Sequence, residues 1–304
     1  KGKHDKGVYE GKHQVDDYNL KANFEGRADL TKTQKSLSFS AQVPYANLFE
    51  TKLYTRDKLS VFSGNVAANF NGSNIDDFTG LIRFTNTTYG NIRDEYYFDD
   101  FTIQSSFTDK LHTISINSKD IVDGSITGVY KVSELEAMFA NALGSFYSNY
   151  TPKKVEPGQY ANFKFDVYNK LLDAFFPGIV LGSGTEIKGS VNAQNNEMKF
   201  SLNADKILLY ENEIEGFNLQ FDNQNPLYNT YVEVDKIHTS TYDFSELSLI
   251  NIKARDTLFF KANFSGGPDH TDTYDLNLFH TINKSNQSVV GFKKSDILFK
   301  GNQW

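Results

Sequence analysis

Bulky apolar residues alternate with polar ones from one end of the chain to the other. A period of two puts them on one face of an extended strand. Tyr18, Leu20, Ala22 and Phe24 follow it, as do Leu37, Phe39, Ala41 and Val43, then Val66, Ala68 and Phe70. Phe78, Gly80, Ile82 and Phe84 continue it, with Ile114 and Ile116, then Val122, Gly124, Ile126, Gly128, Tyr130 and Val132. The second half repeats the habit in Phe163, Phe165 and Val167, in Met198, Phe200, Leu202 and Ala204, and in Leu219 with Phe221. Val232 with Val234, Phe260 with Ala262 and Phe264, and Leu276 with Leu278 complete it. Turn chemistry separates the runs, at Asn71-Gly72, Asp123-Gly124, Asn195-Asn196 and Gly266-Gly267-Pro268-Asp269. The spacing predicts an all-β chain of roughly 16–20 strands, too many for one flat open sheet. A sandwich, a closed barrel and a long sheet folded into a trough all stay open at this point. Hydrophobic residues make up 39% and mean hydropathy is -0.49, which suits strands with one apolar and one wet face.

Two helices interrupt the strands. Ser133 followed by Glu136 reads as a capping box, and Leu135, Met138, Phe139, Ala142 and Phe146 then form an apolar stripe. The second runs from Tyr168 to Phe176 with Leu171, Leu172, Phe175 and Phe176 apolar, and Pro177-Gly178 stops it. Both stripes need an apolar surface, and the expected use is a plug or lid over a sheet face. No regular short repeat is present. Residues 1–304 are expected to form one elongated segment, with Tyr150–Tyr160 as the best candidate boundary. The charged, Gly-rich start at Lys1–Gly7 reads as the edge of an internal piece of something longer.

Several function classes recede. Net charge is -7 with no basic cluster, so neither nucleic acid nor an anionic lipid surface is expected to attract the chain. There is no cysteine, which removes disulfides, thiolate metal sites and a Cys nucleophile. No apolar run reaches the roughly 18 residues of a membrane helix. His4, His13, His112, His238, His270 and His280 are scattered. His270 between Asp269 and Asp272 reads as a solvated turn more readily than a metal site. Gly182-Ser183-Gly184 before Lys188 lacks a following helix and reads as a hairpin turn, not a phosphate loop. Asp76-Asp77 and Asp99-Asp100 point in different directions, which suits edge protection. Alternation leaves open whether distant carboxylates meet. The glycosylation-type triplets at Asn71, Asn86, Asn149, Asn263, Asn283 and Asn286 fit an Asn- and Ser-rich composition. No enzyme and no cofactor is expected. The aromatic alternation remains, and an ordinary β core would show it too.

Longer stretches carry a resemblance. FTGLIRFTNTTYGN from Phe78, EYYFDDFTIQSSF from Glu95 and HTISINSKDIVDGSITGVYKVSELEAMFANALGSFYSNY from His112 closely resemble TamB-like translocation and assembly module proteins in their Bacteroidota form. So do NPLYNTYVEVDKI from Asn225, DTLFFKANFSGG from Asp256 and the closing stretch from Thr273. The likeness covers Val66–Trp304 and weakens over Lys1–Leu59, where the Tyr45–Glu50 turn is the family-like element. It implies an AsmA-like, repeating-β-groove architecture: a long antiparallel-rich sheet folded into a trough, or β-taco, with an apolar floor. It also implies a periplasmic location and an N-terminal inner-membrane helix outside this sequence. The implied partners are phospholipid acyl chains and, through parts absent here, an Omp85-type (TamA-like) outer-membrane barrel. The implied roles are lipid transport and outer-membrane biogenesis.

Exposing an acyl chain costs about 0.8 kcal/mol per CH₂, so a chain of about sixteen carbons faces a barrier on the order of 12 kcal/mol that a hydrophobic groove removes. The residues expected to line it are Phe24, Phe39, Phe70, Ile82, Phe84, Ile114, Ile126, Phe163, Phe165, Phe200, Leu202, Leu219, Phe221, Val232, Val234, Phe260, Phe264, Leu276 and Leu278. Leu135, Met138, Phe139, Phe175 and Phe176 are the plug residues. An aspartate at Phe221 is expected to block lipid more than it harms folding. Two rivals stand: a chaperone that offers β-edges to client strands, and a carbohydrate-binding β-protein suited by the Tyr content.

Overall fold

The computed structural model describes residues 2–55, 57–92, 94–147, 150–168, 178–267, 269–283, 285 and 287–304. The chain is all-β, its strand pairings antiparallel and its sheet not closed, and it separates into two compact units, Lys1–Thr127 and Gly128–Trp304. The stretch Tyr150–Tyr160 lies inside the second unit.

In the first unit the strands pair in chain order: β1 (Gly2–Asp5), β2 (Val8–Asp16), β3 (Leu20–Asp29), β4 (Lys35–Asn47), β5 (Val61–Gly72), β6 (Thr79–Gly90), β7 (Glu95–Thr108) and β8 (Leu111–Asn117). β9 (Val122–Val129) follows. Asp123-Gly124 lies within β9 and is not a turn; the reversal comes earlier, where Ile121 N–H donates to Ser118 C=O at 3.3 Å. Between Phe70 and Phe78 the turn is organised by Asp77, whose Oδ1 accepts the N–H groups of Ser73 at 2.7 Å and Asn74 at 2.8 Å. Those bonds hold its carboxyl below the usual carboxylate range.

The second unit opens with a 3₁₀ turn (Val132–Glu134) and α1 (Leu135–Gly144). Its strands are β10 (Tyr160–Val167), β11 (Ile179–Leu181), β12 (Thr185–Asn192), β13 (Glu197–Leu209), β14 (Asn212–Asp222), β15 (Thr230–His238), β16 (Asp243–Ala254), β17 (Thr257–Gly266), β18 (Asp272–Ile282), β19 (Ser288–Phe292), β20 (Asp296–Phe299) and β21 (Asn302–Gln303). From β12 to β18 each pairs with the next, and β10 pairs with β12. The two short strands β19 and β20 share the outer edge of β18.

Two sequence expectations change here. Ser133 sits inside the 3₁₀ turn, so the N-cap falls one residue later, at Glu134, with no side-chain cap bond, and α1 starts at Leu135; Glu136 instead pairs with Lys153 at 2.8 Å. Gly182-Ser183-Gly184 is no hairpin. β11 and β12 pair with consecutive parts of the same strand, β13, so these residues interrupt a single strand line, and Gly182 N–H still donates to Lys206 C=O. One apolar helix is described; the second expected helix, with Leu171, Leu172, Phe175 and Phe176, lies outside the described residues.

The irregularities form columns. In the first unit the register shifts between Lys21 and Asn23, between Val43 and Ala46, and between Ser63 and Asn65, and Asn86 beside them has φ 48°. In the second unit the column runs from Gly182–Gly184 through Asp205 and Gly216 (φ 62°) to Asp235 and Glu246 (φ 54°). A bulge bends its strand and tightens the local twist. Gly216 is needed where it stands, because a left-handed φ is strained for other residues and a Cβ there would lie 2.0 Å from Asp235 Oδ2.

Candidate functional site

Register makes the faces explicit. In the first unit His13, Phe24, Ala41, Val66, Phe84 and Phe101 form one row across β2–β7. The neighbouring row is Gly11, Gly26, Phe39, Ala68, Ile82, Ile103 and Ile116. Beyond it run Tyr9, Ala28, Leu37, Phe70, Gly80, Ser105 and Ile114. All three rows share a face. Thr113 and Thr127 hydroxyls meet at 3.2 Å on the opposite face, which leaves Ile126 on the side of Ile114. The opposite face carries Lys12, Glu25, Ser40, Ala67, Arg83 and Thr102 in one row, with ion pairs Lys12–Glu25 at 2.5 Å and Arg83–Asp100 at 2.6 Å.

The rings on the apolar face touch neighbours within the sheet. His13 stacks on Phe24 at 5.2 Å, Phe84 meets Phe101 edge-on at 5.9 Å, and Phe107 stacks on His112 at 4.1 Å. Rings also meet across the bulge column: Phe62 with Phe84 at 6.3 Å and Phe98 with Phe101 at 6.1 Å. Past the column the side chains are buried (Ala46, Thr87, Tyr89, Tyr96, Phe98), whereas Phe39, Phe70, Ile82, Phe84 and Ile114 are only half-buried. Phe24 remains 38% exposed and Tyr9 48%. Tyr9, Phe24, Leu37 and Phe39 wall a depression of about 600 Å³ floored by Gly11, Gly26, Ala28 and Ala41. Apolar surface of this extent, left half-wet, is what interaction surfaces look like.

The second unit repeats the pattern. Phe163, Gly189, Phe200, Phe221, Thr230, Asn251, Phe260 and Leu278 form one row. Phe165, Ile187, Leu202, Leu219, Val232, Leu249, Ala262 and Leu276 form the next, on the same face. Val234 and Phe264 lie one step further along the same side. Charged residues hold the other face, where Glu186 lies 2.7 Å from both Lys164 and Lys188, and these cations hold its carboxyl down at about 2.

α1 covers part of this second face. Phe139 meets Phe163 at 5.8 Å and Phe146 meets Phe221 at 5.4 Å, both edge-on. Met138, Ala142 and Phe146 are buried there together with Ala161, Val191 and Met198. Asn223 anchors the helix: its amide donates to Ala142 C=O at 3.2 Å and to Asn196 C=O at 2.7 Å. Its Oδ1 accepts Met198 N–H at 2.9 Å. Phe163 and Phe221 therefore lie beneath protein, and an aspartate at Phe221 would strike α1 packing directly. The row through Leu202, Leu219, Val232 and Leu276 stays half-buried.

All nineteen expected lining residues fall on the apolar faces, twelve in the second unit and seven in the first. Alternation alone missed Tyr9, Phe101, Ile103, Ile187 and Leu249, whose runs are short or interrupted; cross-strand register adds them. Two of the histidines, His112 and His270, are structural. His112 is fully buried, its Nε2 2.8 Å from Ser105 Oγ, and burial pushes its pKa down. His270 Nδ1 lies 2.8 Å from Ser245 Oγ, and among the described residues no group of acids and histidines could hold a metal. Asp100 serves the Arg83 pair. No helix among the described residues is long and apolar enough to cross a membrane. No family model, curated protein or solved structure matches the chain.

Proposed function

We propose that the chain is a section of a periplasmic lipid-conducting groove of the TamB-like, AsmA-like kind. Its half-buried apolar faces hold phospholipid acyl chains between the inner and outer membranes and so serve outer-membrane biogenesis. The observation that carries this reading is the in-register, multi-strand apolar face of the first unit, on which rings such as Phe84 and Phe101 meet neighbours in the sheet and Phe39, Phe70 and Phe84 stay half-wet. The bulge columns support a trough: strands bent at one level make a crease, and rings from its two sides meet, Phe62 against Phe84 and Phe244 against Phe264. Tails lie in the crease and headgroups stay at the open rim. Direction comes from a gradient or a partner, such as an Omp85-type barrel reached by other parts of the protein.

The test uses a fluorescent acyl-labelled phospholipid presented in vesicles to the intact chain. Phe39→Asp, in the floor of the first unit, is expected to cut bound lipid severalfold, whereas Ser40→Asp on the opposite face leaves it unchanged, with both variants melting near the parent. Absence of lipid binding by the parent chain, or equal loss in both variants, sinks the reading.

A second reading rests on the edge of the first unit. β1 pairs with Val8–Gly11 of the nine-residue β2, and among the described residues Lys12–Asp16 have a strand partner on the β3 side only. A chaperone working by β-augmentation would pair a client strand there. Crosslinks from Gln14 to unfolded barrel strands, with no lipid bound, would favour it over the lipid conduit.

A further inference from the structure

We propose that Lys253, at the rim of the second unit's apolar face, binds the phosphodiester headgroup of a lipid whose tails lie on that face, with His280 as a positioning residue for the hydroxyls beside it. The proposal rests on the acyl-chain reading and adds the headgroup class to it. Lys253 pairs across to Leu258, and Leu258 to His280, so the two polar residues occupy one row on the apolar side. That row adjoins Phe260 and Leu278, followed by Leu249, Ala262 and Leu276. Charge, imidazole and hydrocarbon are thus laid out in the order of a phospholipid: headgroup at the rim, tails inward.

Lys253 differs from the paired lysines of this unit. Lys164, Lys188, Lys199, Lys206 and Lys261 stand on the polar face or beyond it and each reaches a carboxylate. Lys253 is half-buried, enters no ion pair among the described residues, and gives one bond, Nζ to Ser145 C=O at 2.6 Å. An ammonium has three donors, and a partly buried cation without a counter-ion is costly. The carbonyl end of α1 offsets part of that cost. His280 stands two strands away in the same row: its Nδ1 lies 2.9 Å from Tyr147 Oη and its Nε2 2.7 Å from Ser288 Oγ, so both ring nitrogens are engaged and two hydroxyls are fixed beside it. Lysine recognises phosphate as a point charge. The competing role for Lys253 is a staple on the end of α1.

Substitutions separate the two. Lys253→Gln keeps a donor for Ser145 C=O and removes the charge; Lys253→Arg keeps the charge. Calorimetry on the full chain with monomeric dihexanoyl phosphatidylglycerol, dihexanoylglycerol and inorganic phosphate reads the outcome. The phospholipid is expected to bind Lys253→Gln about tenfold more weakly than the parent and Lys253→Arg within about twofold, with dihexanoylglycerol indifferent to all three. In the parent chain, the phospholipid is expected to protect Lys253 but not Lys261 from an amine-reactive ester, which needs no variant. Equal phospholipid affinity in Lys253→Gln, or no protection, overturns the headgroup site while leaving acyl binding intact. Failure of the parent to bind either lipid overturns both readings. Inorganic phosphate binding as tightly as the phospholipid assigns a free anion and overturns the lipid as its source.

Discussion

Replacing Asn223 with alanine tests how firmly α1 is held to the second sheet. The carboxamide makes four contacts: Met198 N–H to Oδ1 at 2.9 Å, and Nδ2 to Asn196 C=O at 2.7 Å, Ala142 C=O at 3.2 Å and Ser145 Oγ at 3.2 Å. Two amide hydrogens serve three acceptors, so three bonds' worth of stabilisation is at stake. At about 1 kcal/mol net each, less some recovery by water at this half-buried position, the loss is about 2–3 kcal/mol. Hydrogen exchange of the α1 amides should then accelerate about 30- to 150-fold, since each 1.4 kcal/mol is a factor of ten in an opening equilibrium. Asn223→Asp keeps the acceptor for Met198 N–H, loses both donors, and sets a carboxylate against the Ala142 carbonyl; α1 should exchange at least as fast as in the alanine variant. Exchange within about threefold of the parent in Asn223→Ala would refute the reasoning and leave the helix held by Phe139, Met138 and Phe146 alone.

Two further outcomes follow from the same geometry. Gly216→Ala should destabilise the second unit by about 1–2 kcal/mol in urea unfolding, because a left-handed φ strains alanine and its Cβ meets Asp235. Glu186 should titrate near 2 by carboxyl NMR, its bridges to Lys164 and Lys188 favouring the ionised form. Its folded value lies below the unfolded one, so its small contribution holds above the ordinary carboxylate range and fades as pH falls toward about 2.

The residues that could be read from sequence were those in long uninterrupted alternation. Phe39, Phe70, Ile82, Phe84, Leu202 and Leu219 each sit in such runs, and a period of two determines a face whatever the strand order. The bulges were not legible. Pro44 and Tyr45 sit where the pairing of β4 changes step, and Asn86 where β6 does, yet each looks like a brief lapse in the pattern. Gly182–Gly184 misled for the same reason: Gly-Ser-Gly signals a turn, and only the shared partner β13 reveals a broken strand. The helix stripe was sound, but the residues it would cover were not, because what lies beneath Phe139 and Phe146 depends on register between strands 58 residues apart in sequence, at Phe163 and Phe221.

From β2 to β7 in the first unit and from β14 to β17 in the second, each strand pairs with the strand before and the strand after it in the chain. Stability in such a ladder is a sum of neighbour terms, as in solenoids. Removing or adding one hairpin therefore shortens or lengthens the ladder by about 9–10 Å, two strand spacings, without changing which side chains its neighbours present. Length becomes a quantity that selection can adjust in fixed increments while the chemistry of the surface stays constant.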